Sequence, residues 1–261
     1  MQTIARLLFG FLLYLAATPA LANNKILICT DTNFWYPFTY LEDNKPTGLH
    51  IDIIKTALRN LGYEAQFKAT SWKQCLSDAE HGLVDAVATA SYRDDRAAYL
   101  NYPEGAAVDK KSPWRVSQVG YVLVTSAFDK QGKKNTYHFG GNFKTVPEPV
   151  RAPIHYSVVK DLEKEGLEVR EGKNSLYNFK QLAEEHTGSV VDIEDVSLYF
   201  ATQPQFADKL IIQKKRLNYK SYFLAFSKSG SIKRDASEII WKKIAKIRDN
   251  PKKIAEFLKH Y

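Results

Sequence analysis

The chain is poor in the residues that metal and redox chemistry require. Among 261 residues there are two cysteines, one methionine and six histidines. The histidines, at 50, 81, 138, 155, 186 and 260, show no HxxxH-type spacing, and Cys29 and Cys75 form no CxxC, so neither a zinc site nor a dithiol centre is expected, and no cofactor. No Walker A, GxSxG or GxGxxG motif follows a predicted strand, and no nucleophile stands with its base. Thirteen glycines and ten prolines without a 20–50-residue period exclude collagen-like sequence, solenoids and propellers. Charge of one sign is never gathered into a block. The net charge is +8, but lysines and arginines are interleaved with acids, which argues against a nucleic-acid partner.

The residues that are present describe a folded, exported body. Hydrophobic residues at 44% and charged residues at 25% are globular proportions that rule out disorder. The start carries Arg6, an apolar run from Leu7 to Ala17 and a small-residue end at Ala20-Leu21-Ala22. A run of about 11 residues is too short to span a bilayer, so residues 1–22 read as a signal peptide cleaved after Ala22, with a periplasmic destination. Export places Cys29 and Cys75 where a disulfide can persist, and two buried thiols remain the alternative.

Periodicity gives the elements. Residues 25–29 read as a strand; 49–61 carry Ile51, Ile54, Leu58 and Leu61 at helical spacing and close on Gly62. A strand at 63–69, a helix at 72–80 capped by Ser71, and a strand at 83–88 complete a βαβαβ order, which predicts a mostly parallel sheet. A second set follows: strands at 119–125, 150–153, 167–170 and 190–193 alternate with helices at 158–165, 176–185 and 196–202. A strand at 221–226 and a helical region 231–259 broken at Pro251 close the chain. Residues 42–48 read as a turn, and the cations of 209–220 as a solvated face. Two α/β halves predict two lobes.

In open α/β sheets ligands bind beyond the carboxyl ends of the strands. The loops there hold Asp31 with Phe34, Trp35 and Tyr36, then Trp72, then Thr89-Ala90-Ser91-Tyr92-Arg93-Asp94-Asp95-Arg96. Brought to one edge, they predict an aromatic-walled pocket with hydroxyls and a guanidinium, suited to a small ligand with a carboxylate. In the second half, Glu194 and Asp195 could hold an ammonium.

These segments, with Tyr36-Pro37-Phe38-Thr39-Tyr40, Gly48-Leu49-His50-Ile51-Asp52, Gly82-Leu83-Val84-Asp85-Ala86 and Tyr102-Pro103, resemble the periplasmic solute-binding proteins of the polar amino-acid class, family 3, over nearly the whole mature chain. The resemblance implies a two-lobed, type II Venus-flytrap fold, with lobe 1 from 23–118 plus 222–261 and lobe 2 from 119–221. It implies that Arg96 grips a ligand carboxylate beside the Ser91 hydroxyl and the Thr89 backbone. Phe34 or Trp35, and Trp72, would pack on the ligand, with Asp31 a further contact. Asp195, or Glu194 in the rival register, would bind an α-amino group. His155-Tyr156-Ser157 stands where many members start a helix with a Gly-Thr-Thr-like sequence, and brings Tyr156 and Ser157 into the contact set. The loop 104–115 is longer than usual. The implied function is a monomeric receptor that hands its solute to an inner-membrane ABC permease. The alternatives are an enzyme on the same scaffold, similar to cyclohexadienyl dehydratases, and a ligand sensor or accessory subunit.

Overall fold

A computed structural model describes residues 24–261; the expected signal peptide lies outside the described residues. The chain opens with β1 (Lys25–Asp31), a small hairpin of β2 (Tyr40–Glu42) and β3 (Lys45–Thr47), and helix α1 (Leu49–Arg59). It continues through β4 (Glu64–Thr70), α2 (Trp72–Glu80), β5 (Ala86–Ser91), α3 (Asp94–Ala97) and β6 (Leu100–Asn101). Strand β7 (Ser117–Ser126) leads into β8 (Val150–Pro153), α4 (Ser157–Lys164), β9 (Val169–Gly172), α5 (Ser175–Glu185), β10 (Ser189–Ile193), α6 (Glu194–Ala201) and β11 (Leu210–Ile212). The long β12 (Asn218–Ser227) returns, followed by α7 (Arg234–Arg248) and α8 (Pro251–Leu258).

The strands run β4-β1-β5-β12-β7-β10-β8-β9 across one curled sheet, and this mixed α/β body divides into two lobes. In the first, β1 pairs parallel to both β4 and β5, joined by the helices α1 and α2. Strand β5, Ala-Val-Ala-Thr-Ala-Ser, is buried along its whole length, as a central strand covered on both faces must be. Ile53, Ile54 and Leu58 of α1 pack there with Ile240 and Ile244 of α7. Each such side chain contributes about 1.5–3 kcal/mol on burial. The other face is closed by α2 through Cys75 and Ala79. In the second lobe β7, β10 and β8 carry Val122, Val190 and Ala152 into a core with Phe179 and Leu182 of α5.

One strand, β12, pairs with both lobes. β12 pairs antiparallel with β7 from Asn218 to Tyr222, then with β5 from Tyr222 to Phe226. At the crossing the Tyr121 and Tyr222 hydroxyls meet at 2.5 Å, both buried. Where β12 leaves β7, β11 takes its place along the same edge, Leu210 opposite Ser126.

The strand directions and two segments differ from expectation: β12 pairs antiparallel with β5, β6 and β7, and β7 antiparallel with β10 and β11, so the sheet is mixed instead of mostly parallel. Residues 40–47 form the β2–β3 hairpin rather than a plain turn, and β11 lies inside the stretch read as a solvated face. Leu210-Ile211-Ile212 is a three-residue strand flanked by cations, too short for a periodic signal to outweigh them. The expected caps are present: Ser71 accepts from the Gln74 amide at 3.3 Å, and Gly62 follows α1 at φ +82°. Asp52 and Asp85 are structural acids: Asp52 accepts from the Tyr261 hydroxyl, and Asp85 from Leu27 N and Ser231. Among the described residues no helix is long and apolar enough to cross a membrane.

Candidate functional site

The carboxyl ends of β1 and β5 and the start of α2 converge on a cavity of about 30 Å³ between the lobes, room for roughly two or three waters. Its walls include Asp31, Trp35, Trp72, Thr89, Ser91 and Arg96 from the first lobe and Tyr156 and Ser157 from the second. Thr30, Asn33, Thr39, Tyr121 and Tyr222 complete it. A wider cleft of about 840 Å³ lies beyond, and Ser91 and Ser157, bonded to each other at 2.8 Å, line both.

Arg96 is 2% exposed, so it is no surface partner of Asp94 or Asp95; Arg93 makes the pair with Asp95. Its guanidinium lies 5.2 Å from the centre of the Trp72 ring. Nη1 donates to the Ser91 carbonyl at 3.1 Å and the Ser91 hydroxyl at 3.2 Å, and Nη2 donates across the cleft to the His155 carbonyl at 2.8 Å. Nε has no partner. Two strained backbones arrange this. Thr89 sits at φ +58° in a bulge where Ala88 and Thr89 of β5 face the single Leu224 of β12, which redirects β5 toward the cavity. His155, at φ +62°, turns its carbonyl to Arg96 while its own amide donates to Glu171 at 2.6 Å. A glycine would adopt that conformation freely, whereas His155 is held in it by these two bonds.

Asp31 ends β1 inside the protein. Its carboxylate accepts from Asn33 N and from the Tyr156 hydroxyl, both at 3.1 Å. Burial outweighs these bonds and pushes Asp31 up to about 6. Asp192, fully buried in β10, is likewise pushed up to about 6 by burial. Its charge would act on Tyr121, Tyr156 and Tyr222, whose hydroxyls burial holds well above their ordinary value.

These shifts have a sign that can be measured. A carboxyl raised from 3.8 to about 6 keeps its proton in the native state over a window where the unfolded chain has lost it. Native stability therefore falls as pH rises from about 4 to about 6. His50, held down to about 3 by burial, acts oppositely below its ordinary value, so the variant difference is the clean readout. Asp192→Asn is expected to gain stability relative to the parent as pH rises from about 4 to about 7 in urea titrations. A difference that stays flat with pH would contradict the buried, protonated acid.

Three of the residues expected at the site lie outside this lining. Phe34 stacks instead in an aromatic bridge between lobes, 4.7 Å from Tyr199 of α6 and 6.0 Å from Tyr36. Glu194 accepts from Arg216 at 2.6 Å, half-exposed, and Asp195 sits beside it in the first turn of α6. Of that acidic cluster it is Asp192 that turns inward, because β10 is buried along its whole length and α6 begins only at Glu194. The sequence does not point to Tyr121 and Tyr222; their only local signal is a hydroxyl-bearing ring inside each of two otherwise apolar strand runs. The structure joins Cys29 and Cys75 in a disulfide, Cα atoms 5.6 Å apart. Among the described residues no cluster of three His, Cys, Asp or Glu side chains could hold a metal.

A family model of the bacterial extracellular solute-binding proteins, family 3, matches residues 26–178, more than half of the chain. No curated protein matches by sequence. Solved structures match in fold. The P235GK mutant of ArgBP from T. maritima has a TM-score of 0.70 at 16% identity, over 91% of this chain and 95% of that one. The substrate-binding protein of an amino acid ABC transporter has 0.68 at 14%, over 91% and 98%. A histidine kinase sensor domain with similarity to periplasmic binding proteins has 0.73 at 12%, over 91% and 95%.

Proposed function

Because the chain belongs to the bacterial extracellular solute-binding proteins, family 3, we propose that it captures a small carboxylate-bearing solute between its lobes and passes it to an ABC-type importer. In this reading residues 1–22 direct export and are cleaved after Ala22. The lobes are 23–118 with 222–261, and 119–221, hinged where β7 and β12 cross, and the receptor is a monomer. The observation that carries the reading is Arg96: a buried guanidinium with an unpaired Nε at a cavity between the two lobes. A charge so placed favours an anion that replaces its lost hydration. Closure then follows as a ligand-driven shift between open and closed populations.

A thermal-shift screen of the purified protein against small carboxylates tests this. At a hundredfold excess over Kd a native-state ligand adds about 2.7 kcal/mol, a rise of about 5 °C or more for a chain of this length. Several carboxylates that leave the melting temperature unmoved, each at millimolar concentration, would contradict it.

A sensory role is the second reading. Its support is that the lobes already bond each other, Arg96 to the His155 carbonyl and Ser91 to Ser157, and that a kinase sensor domain shares the fold. In that case the clamp reports to a signalling partner instead of an importer.

A further inference from the structure

The lining of the interlobe cavity is unbalanced in its hydrogen bonding. Among its residues the buried polar side-chain atoms without a partner are Trp35 Nε1, Trp72 Nε1, Arg96 Nε and Thr30 Oγ1. Three are N–H groups that can only donate, and the fourth is a hydroxyl that can donate. The lining's one carboxylate, Asp31, already accepts from Asn33 N and the Tyr156 hydroxyl. Asn33 donates its side-chain amide to that same Tyr156 hydroxyl at 2.8 Å. Glu194 is taken by Arg216, and neither Glu194 nor Asp195 reaches the lining. The unpaired acid oxygen of Asp192 belongs to a residue outside the lining.

A buried donor left unpaired costs free energy, so a site with several of them selects a ligand that supplies acceptors. An ammonium would bring three more donors into a cavity whose one carboxylate, Asp31, already accepts from Asn33 N and the Tyr156 hydroxyl. We propose that the interlobe cavity takes a small carboxylic acid anion that carries no ammonium group, its oxygens seated on the N–H donors of Arg96, Trp35 and Trp72. The cavity is small, about 30 Å³, and favours small ligands admitted as the lobes part, the class of hydroxy and keto acids such as glycolate, lactate and pyruvate. The proposal rests on the solute-capture reading and narrows it.

Matched pairs of equal size test it on the unmodified protein by calorimetry: glycolate against glycine, and lactate against alanine, at neutral pH. The hydroxy acid of at least one pair is expected to bind at least tenfold more tightly than its amino acid. Trp72→Phe keeps the ring and removes Nε1–H, and is expected to weaken that hydroxy acid about tenfold. Glycine or alanine binding as tightly as its partner would overturn the inference and leave solute capture standing. No binding by either member of both pairs, with larger carboxylates active in the thermal screen, would overturn the size and class assigned here. No binding by any carboxylate would overturn both readings. An unchanged affinity in Trp72→Phe would remove that donor from the site.

Discussion

Arg96→Ala is expected to weaken binding of any carboxylate ligand by a hundredfold or more, about 3 kcal/mol, read by calorimetry against the parent protein. The loss has two parts. The ligand anion is left in a closed cavity without a counter-charge, and the indole of Trp72 loses the cation stacked on it at 5.2 Å. Arg96→Lys keeps the charge but not the fork, and Lys cannot bond the Ser91 carbonyl, the Ser91 hydroxyl and the His155 carbonyl at once. It is expected to recover only part of the affinity. Because Tyr102 also donates to the Ser91 carbonyl, at 3.0 Å, β5 keeps an anchor and the alanine variant is expected to fold. Equal affinities for parent and Arg96→Ala would take Arg96 out of the site.

The second large effect concerns stability. The Cys29–Cys75 bond closes a loop of 46 residues, and on the chain-entropy argument its loss costs about 4 kcal/mol. The double variant Cys29→Ser, Cys75→Ser is expected to unfold at markedly lower urea concentration with a similar dependence on urea. The bond also ties two walls of the cavity together: Cys29 lies two residues before Asp31 on β1, and Cys75 three residues after Trp72 on α2. Loosening it is therefore expected to weaken ligand binding as well. Two free thiols in the mass spectrum of the unreduced, exported protein, or a double variant as stable as the parent, would contradict this.

Much of this was legible in local sequence, and the physical reasons differ by element. The helix α1 announces itself through Ile54 and Leu58 on one face and Gly62 beyond its end, features that need no tertiary context. Trp72, Thr89, Ser91 and Arg96 fall at one site because the loops after parallel strands all emerge on one sheet edge. The acids were harder. Asp192, Glu194 and Asp195 lie within four residues, and which of them turns inward depends on where β10 gives way to α6, a boundary that composition does not fix. Phe34 and Trp35 are adjacent in an irregular loop, so only packing decides that Trp35 meets Tyr222 at 4.8 Å while Phe34 meets Tyr199. The tyrosine pair of 121 and 222 depends on the pairing of strands 101 residues apart in the chain, which no local pattern reveals.

The central claim is that an anion is held between the lobes by the Arg96 guanidinium, and a crystal structure of the protein grown with a carboxylate from the thermal screen tests it most directly. The account predicts the carboxylate in the cavity between Trp72 and Tyr156, an oxygen about 3 Å from Arg96 Nε. A carboxylate bound elsewhere, with Arg96 Nε still unpaired, would contradict it.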